Sequence, residues 1–233
     1  MEEAWELAVV SDDFDPNTIF SDEGLEFIKM NEFAIRYHLI RLSNHIHEFT
    51  ENYEFLKSIG LGSEIKMPLS HEIWDVVIEC AEALSGIANI LSPSRRGKKG
   101  DLCVQLTKKR SEAIQGLMLL KITDRTDLVD FRNRIHHEDE DFDDWYFRKM
   151  TKAPAHSPEV VRRYITWGFS PVTSDATAFA SAYDAKSGYV HFYDNHYNLH
   201  EAKKWVDAIN DNIPAAHQRL TELSGTTTEV TVS

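Results

Sequence analysis

Hydrophobic residues recur mostly at spacings of three and four through a long stretch near the start of the chain, and this spacing limits the possible fold more than any other feature. An α-helix repeats about every 3.6 residues, so apolar residues at this spacing share one helical face. The stretch begins at Ser21, a residue suited to cap a helix, and ends near Lys57. Its apolar members are Leu25, Phe27, Ile28, Phe33, Ile35, Leu39, Ile40, Leu42, Ile46, Phe49, Tyr53 and Leu56. The sequence therefore predicts one long amphipathic helix here.

Three further helices are predicted before residue 150. Glycines and Pro68 mark a turn, after which Ser70 can cap a second helix that ends at the segment 93–100. Asp101 is placed to cap a third helix, which includes Leu102, Val104, Leu106, Ala113, Ile114, Leu117 and Leu120 on its apolar side.

The fourth predicted helix follows a connector at 121–127. Asp124 or Asp127 opens it, and it continues to about Ile135. Three apolar residues lie at spacings of three and four on one side of this helix, and we expect that side to face the core: Leu128, Phe131 and Ile135.

The composition changes after residue 150, where prolines interrupt the helical pattern. Two apolar and aromatic runs, 178–184 and 189–193, flank the turn sequence Ala185–Gly188 and predict a β-hairpin. Apolar spacing from Asn198 or Leu199 to about Leu220 predicts a last helix. We therefore expect a mainly α protein, with a helical bundle over residues 1–150 and a hairpin with a terminal helix, packed on the bundle, over residues 151–233.

The charge of the chain argues against general binding to nucleic acids. Thirty-eight acidic residues oppose 25 basic ones, for a formal net charge of −13, whereas binding to a polyanion depends on clustered lysine and arginine. The basic clusters 95–99, 108–110 and 162–163 are typical of solvated loops and helix faces. Any contact with RNA is therefore expected to be local.

The length of the apolar runs, the charge of the N-terminus and the two cysteines predict the localisation of the protein and its redox state. No apolar run approaches the roughly 18 residues that span a bilayer, and the N-terminus is acidic where a signal peptide would be basic. These features predict a cytoplasmic protein without a membrane partner. Cys80 and Cys103 lie at apolar positions of predicted helices, so both are expected to be reduced core residues.

The segment 131–141 concentrates the residues that are best suited to chemistry. Arg132 supplies a fixed positive charge, Asn133 an amide, and His136 and His137 groups that transfer protons near neutral pH. The 2′-hydroxyl of RNA can attack the neighbouring phosphorus if a base, an acid and a cation are available. These residue types meet the needs of phosphodiester cleavage without a metal.

Four helices with Arg132-Asn133 and His137 on the fourth resemble the HEPN superfamily, whose signature is an arginine, a polar residue and, a few positions later, a histidine. The resemblance covers residues 21–150. It implies a four-helix bundle that forms a homodimer, with the motifs of both copies at the interface. In catalytic relatives this arrangement is a metal-independent endoribonuclease, often a toxin or an antiviral defence effector.

The resemblance also implies roles for individual residues. Arg132 would stabilise charge on the phosphorus centre, His137 would transfer a proton, and Asn133 would orient both. RNA would be the substrate, and an antitoxin or other regulatory protein would be a partner. The resemblance implies no cofactor or metal. His136 shares a helical face with Arg132 and is a second candidate for proton transfer. Asp139 stands where nucleotide-transferring toxin pairs often carry a tyrosine, which argues against regulation by tyrosine adenylylation.

Other interpretations of the same residues remain open. Arg132, His136 and His137 can form ion pairs with the segment 138–144, which holds six carboxylates in seven positions. In that case the protein is a non-catalytic HEPN-like module for dimerisation or for binding a nucleotide or protein. Metal binding by this segment, or by His196 and His200, is disfavoured for two reasons. Adjacent side chains on a helix point apart, and neither set has the glutamate between spaced histidines that hydrolytic zinc motifs carry.

Overall fold

The computed structural model describes residues 7–9, 15–60, 70–93, 101–122, 125–136, 145, 159–161, 163–166, 177–193 and 195–225, and these form a mainly helical protein with a small sheet. The helices are α1 (Pro16–Ile19), α2 (Asp22–Met30), α3 (Glu32–Gly60), α4 (Ser70–Leu91), α5 (Leu102–Met118), α6 (Thr126–His136), α7 (Leu199–Asn210) and α8 (Ile213–Ser224). The strands are β1 (Leu7–Val9), β2 (Leu120–Ile122), β3 (Glu159–Val161), β4 (Tyr164–Thr166), β5 (Thr177–Phe179), β6 (Ser181–Asp184), β7 (Tyr189–Phe192) and β8 (Asn195–Asn198).

The chain divides into two compact units, and each unit combines segments that are far apart in sequence. The first unit consists of Met1–Ile46, Gly86–Thr126 and Lys204–Ser233, and the second of His47–Ser85 and Asp127–Lys203. Helix α6 and the strands after residue 150 thus belong to the same unit. The division predicted at residue 150 stays a prediction.

The first unit is built around mutual contacts among α2, α5 and α8. Each of these helices contributes fully or nearly fully buried aliphatic residues, namely Ile28, Ile114, Leu117, Ile213 and Leu220. The Arg219 guanidinium on α8 donates a hydrogen bond of 2.7 Å to the carbonyl of Leu117 on α5. Strands β1 and β2 form an antiparallel pair, which the sequence did not predict.

The second unit contains a four-stranded sheet in the order β4-β6-β7-β8. Strands β6, β7 and β8 are antiparallel, and β4 joins the edge parallel to β6. The predicted hairpin is confirmed as β6 and β7 with its turn at 185–188. Phe192 stacks against Trp74 of α4, and Tyr197 against Phe131 of α6. Because these rings lie on one side of the sheet, α4 and α6 both pack against that side.

Two predicted helices are each divided by a short interruption. The helix predicted from residue 21 onward becomes α2 and α3, because Asn31 leaves helical geometry and its side-chain amide donates to the Phe27 carbonyl at 2.8 Å. The predicted last helix becomes α7 and α8. Pro214 lacks the amide hydrogen that a helix interior requires, and it lies in the first turn of α8.

The apolar side predicted for α5 is correct only in its second half. Ala113, Ile114 and Leu117 are buried, but Leu102 is 66% exposed and Leu106 is 45% exposed. Cys103 is also exposed, contrary to the prediction, whereas Cys80 is buried as predicted. The first turns of α5 therefore lack the neighbouring element that would cover them within the described part of the chain.

Candidate functional site on helix α6

Helix α6 buries its apolar side, whereas the motif residues on its polar side are half-buried or exposed. Leu128, Phe131 and Ile135 are buried, as predicted. The ring of Phe131 stacks on Tyr197 with 3.9 Å between ring centroids, which attaches this side of α6 to β8. Arg132, Asn133 and His136, which do not belong to this apolar set, are the motif residues that the structure describes.

Arg132 and Asn133 are joined directly. Both are half-buried, and Nη1 of Arg132 donates a hydrogen bond of 3.2 Å to Oδ1 of Asn133. Among the described residues, Arg132 forms no ion pair with a carboxylate. An arginine has five N–H donors, and one bond to an amide leaves most of them for a ligand. The amide thus orients the guanidinium without neutralising its charge.

His136 contacts a carboxylate from another helix. Its Nε2 lies 2.7 Å from Oε1 of Glu82 on α4, and the histidine side chain is 36% exposed. With the proton on Nε2, the ring donates to Glu82 and presents Nδ1 as an acceptor. A carboxylate that fixes the ring and tautomer of a histidine is a common feature of acid–base sites. Glu82 was not predicted from the sequence, because no local pattern connects residues that are 54 positions apart.

Only part of the predicted motif lies within the described residues. Arg132 and His136 are four positions apart on α6 and therefore share a helical face. His137, predicted to transfer the proton, and the acidic segment 138–144 lie outside the described residues. The proximity of Arg132 to His137 and the ion pairs with the acidic segment both stay predictions.

The phenol of Tyr197 beneath α6 stays protonated at neutral pH. Burial raises the pKa of Tyr197 to about 12, and the nearby Arg134 guanidinium only partly offsets this effect. The carboxylates of Asp127 and Asp130 raise the same pKa further. Tyr197 therefore supports α6 as a neutral ring and not as an acid or base.

The described residues provide little for metal binding. Their histidine, cysteine and carboxylate side chains form no group of three or more that could hold a metal ion. His200, one of the alternative ligands considered above, instead has its Nδ1 2.9 Å from the Tyr53 hydroxyl. His196 is exposed and lies opposite His191 across β7 and β8.

Comparison with known proteins identifies no relative. No protein-family model, no curated protein and no solved structure matches the chain. None of the described helices combines the length and apolar character that a membrane crossing requires.

Proposed function

We propose that this protein is a HEPN-like, metal-independent endoribonuclease that acts as a toxin or antiviral defence effector, is active as a homodimer and is restrained by an antitoxin or other regulatory protein. One observation carries the proposal. A single helix presents a cation without a carboxylate partner among the described residues, an amide that orients this cation and a histidine held by Glu82. These are the groups that RNA cleavage by its own 2′-hydroxyl requires.

The proposed reaction is a transesterification in one displacement. A histidine takes the proton of the 2′-hydroxyl, and a bond forms between the 2′-oxygen and phosphorus. The bond from phosphorus to the 5′-oxygen breaks, and that oxygen receives a proton, which leaves a 2′,3′-cyclic phosphate and a free 5′-hydroxyl. Arg132, whose orientation is set by Asn133, stabilises the negative charge that grows on the phosphoryl oxygens.

The two proton transfers need two histidines or one histidine used twice. His137 is our first candidate from the motif, and His136 is the second. Glu82 supports the case for His136, because a fixed tautomer leaves one ring nitrogen ready to accept the proton. In the proposed homodimer the second copy supplies another arginine and another pair of histidines.

The test is cleavage of total RNA by the purified protein, with and without EDTA. Arg132→Ala should reduce the rate by about 100-fold or more, because it removes the charge stabilisation. His137→Ala and Glu82→Gln separate the two candidate bases, since Glu82→Gln should slow cleavage about tenfold only if His136 takes part. Expression of the Arg132 variant should also be non-toxic.

Matched controls come from the same helices. Arg134→Ala removes a neighbouring half-buried arginine, and Glu79→Gln removes an exposed carboxylate one turn before Glu82. Both should cleave at nearly the normal rate. Loss of activity in EDTA, or full activity in the Arg132→Ala protein, contradicts the proposal.

The competing function is a non-catalytic HEPN-like module that mediates dimerisation or binds a nucleotide or protein. The contact between His136 and Glu82 favours it to the extent that this pair joins α6 to α4 as an ion pair. That function predicts no cleavage of RNA by the normal protein. It also predicts that Glu82→Gln lowers the unfolding temperature or weakens the dimer without any effect on RNA.

A further inference from the structure

A second concentration of nitrogen-bearing side chains lies in the first unit and uses none of the residues of the α6 site. His38, Arg41 and His45 lie at spacings of three and four along α3 and therefore share one face. Nη2 of Arg41 is 3.5 Å from Nε2 of His45. Arg110 on α5 lies close enough to shift the pKa of His38. Two helices thus bring their cationic groups together.

Two nitrogen atoms in this cluster are buried and have no hydrogen-bond partner in the part of the chain that the structure describes. They are Nδ1 of His38 and Nε of Arg110. Folded proteins pair the large majority of buried polar atoms, since an unpaired one forfeits its bonds to water. Both unpaired nitrogens belong to residues whose charges act on one another, and this combination points to a ligand that completes the cluster.

The two arginines of the cluster, Arg41 and Arg110, also lack a carboxylate partner among the described residues. Other cations on the same two helices have one: Arg36 pairs with Glu32 at 2.7 Å, and Lys108 pairs with Glu112 at 3.5 Å. Arg41 and Arg110 form no such pair within the described chain. Burial lowers the pKa of Arg110, and the neighbouring Arg41 lowers it further. A bound anion would offset both effects.

We propose that Arg41, Arg110 and His38 form a binding site for the phosphate group of a small ligand. Planar guanidinium groups match the geometry of phosphate oxygens, and a histidine ring adds an N–H donor. Arg41 is exposed, so the cluster is reachable from solvent. Tyr37 lies one helical turn before Arg41 and is 51% exposed, so its ring can carry the aromatic part of a phosphorylated ligand.

Titration calorimetry of the full chain with inorganic phosphate and, separately, with AMP tests the site. Arg110→Gln should weaken the binding of either probe about tenfold or more, because a charge-assisted hydrogen bond is lost. Arg41→Gln should do the same from the other helix, which keeps the test valid if the half-buried Arg110 variant fails to fold. If AMP binds more tightly than phosphate, the ligand of this site is a phosphorylated aromatic compound. If the two bind equally, the ligand is free phosphate.

Lys109→Gln is the matched control, because it removes an exposed positive charge one position from Arg110. It should leave the affinity for phosphate within about twofold, since exposed charges contribute little. The NMR titration of the His38 ring gives a second readout, in which saturating phosphate raises its pKa from about 4. The proposal is overturned if Lys109→Gln and Arg110→Gln lose equal affinity for phosphate, or if the normal protein shows no binding at millimolar phosphate.

Discussion

At the scale of single residues, the contact between His136 and Glu82 gives the most information about the candidate site. A histidine on a polar helix face is ordinary, but a carboxylate oxygen 2.7 Å from its Nε2 orients the ring. The predicted Asp101 and Ser21 caps, by contrast, are purely local. Asp101 accepts a hydrogen bond from the Cys103 amide at 2.8 Å, and Ser21 from the Gly24 amide at 3.2 Å. Both caps were predicted because donor and acceptor lie within one turn.

His38 should make the protein less stable in acid. Burial, followed by the charges of Arg110 and Arg41, lowers the pKa of this histidine from 6.5 to about 4. The unfolded chain therefore binds a proton at a pH where the folded chain does not. The resulting stability is present above pH 6.5 and is lost as the pH falls through about 4. We expect a loss of about 1 kcal/mol, reduced from the full effect because the ring is only partly buried.

The measurement is urea unfolding at several pH values between 7 and 4. Burial also lowers the pKa of His191 and His217, so the normal protein will show their contributions as well. The difference between the normal protein and His38→Gln isolates the contribution of His38. If the free energies of unfolding of the two proteins differ by the same amount at every pH down to 4, the predicted link between His38 protonation and stability is wrong.

At the scale of elements, the β6–β7 turn depends on one glycine that the sequence pattern indicated only as part of a loop. Gly188 has a φ of +70°, and an added Cβ would lie 2.8 to 2.9 Å from atoms of the His200 ring. That ring has little freedom to move, because its Nδ1 is 2.9 Å from the Tyr53 hydroxyl. The backbone and the packing thus both require glycine here.

Gly188→Ala should lower the free energy of unfolding by about 2 to 3 kcal/mol, from left-handed backbone strain and the clash with His200. Gly225→Ala is the control, since Gly225 has a φ of +67° but no neighbouring atom within 4 Å. It should cost only about 1 kcal/mol from backbone strain. Chemical denaturation measures both values, and equal losses would show that the contact with His200 is unimportant.

The elements that sequence patterns missed are those that depend on distant partners. Strands β1 and β2 pair across more than one hundred residues, and neither shows the alternation of a longer strand. The break at Asn31 was missed because the apolar spacing continues on both sides of it. Pro214, in contrast, was a local signal that could have divided the last helix into α7 and α8.

At the scale of the whole molecule, the two units are interleaved along the chain. Helices α3, α4 and α7 each contribute several residues to both units, and α6 contributes its first residue to the first unit and the rest to the second. The first unit also needs α8 from the end of the chain, where Ile213, Ala216 and Leu220 are buried. Neither unit is therefore a continuous stretch of sequence.

A chain that ends at Met150 should fail to fold cooperatively. It lacks α8 from the first unit and the whole sheet from the second, so it exposes the apolar surfaces that those elements cover. Thermal unfolding followed by circular dichroism should show no sharp transition. A chain that ends at Gly225, the C-cap of α8, is the control and should unfold like the full chain. Cooperative unfolding of the 1–150 chain would show that these residues form an independent domain, as the sequence pattern predicts.

The sequence by itself determined where the helical segments lie, though not their breaks at Asn31 and before α8. It also determined the hairpin and the apolar side of α6, because periodicity, caps and turn residues act within a few positions. It also indicated Arg132, Asn133 and His136 as neighbours on one helix. Only the tertiary structure decided that Glu82 contacts His136, that the charge of Arg110 acts on His38, and that α5 leaves Leu102 exposed. The physical reason is that these contacts join residues far apart in sequence, and their formation depends on how whole helices pack.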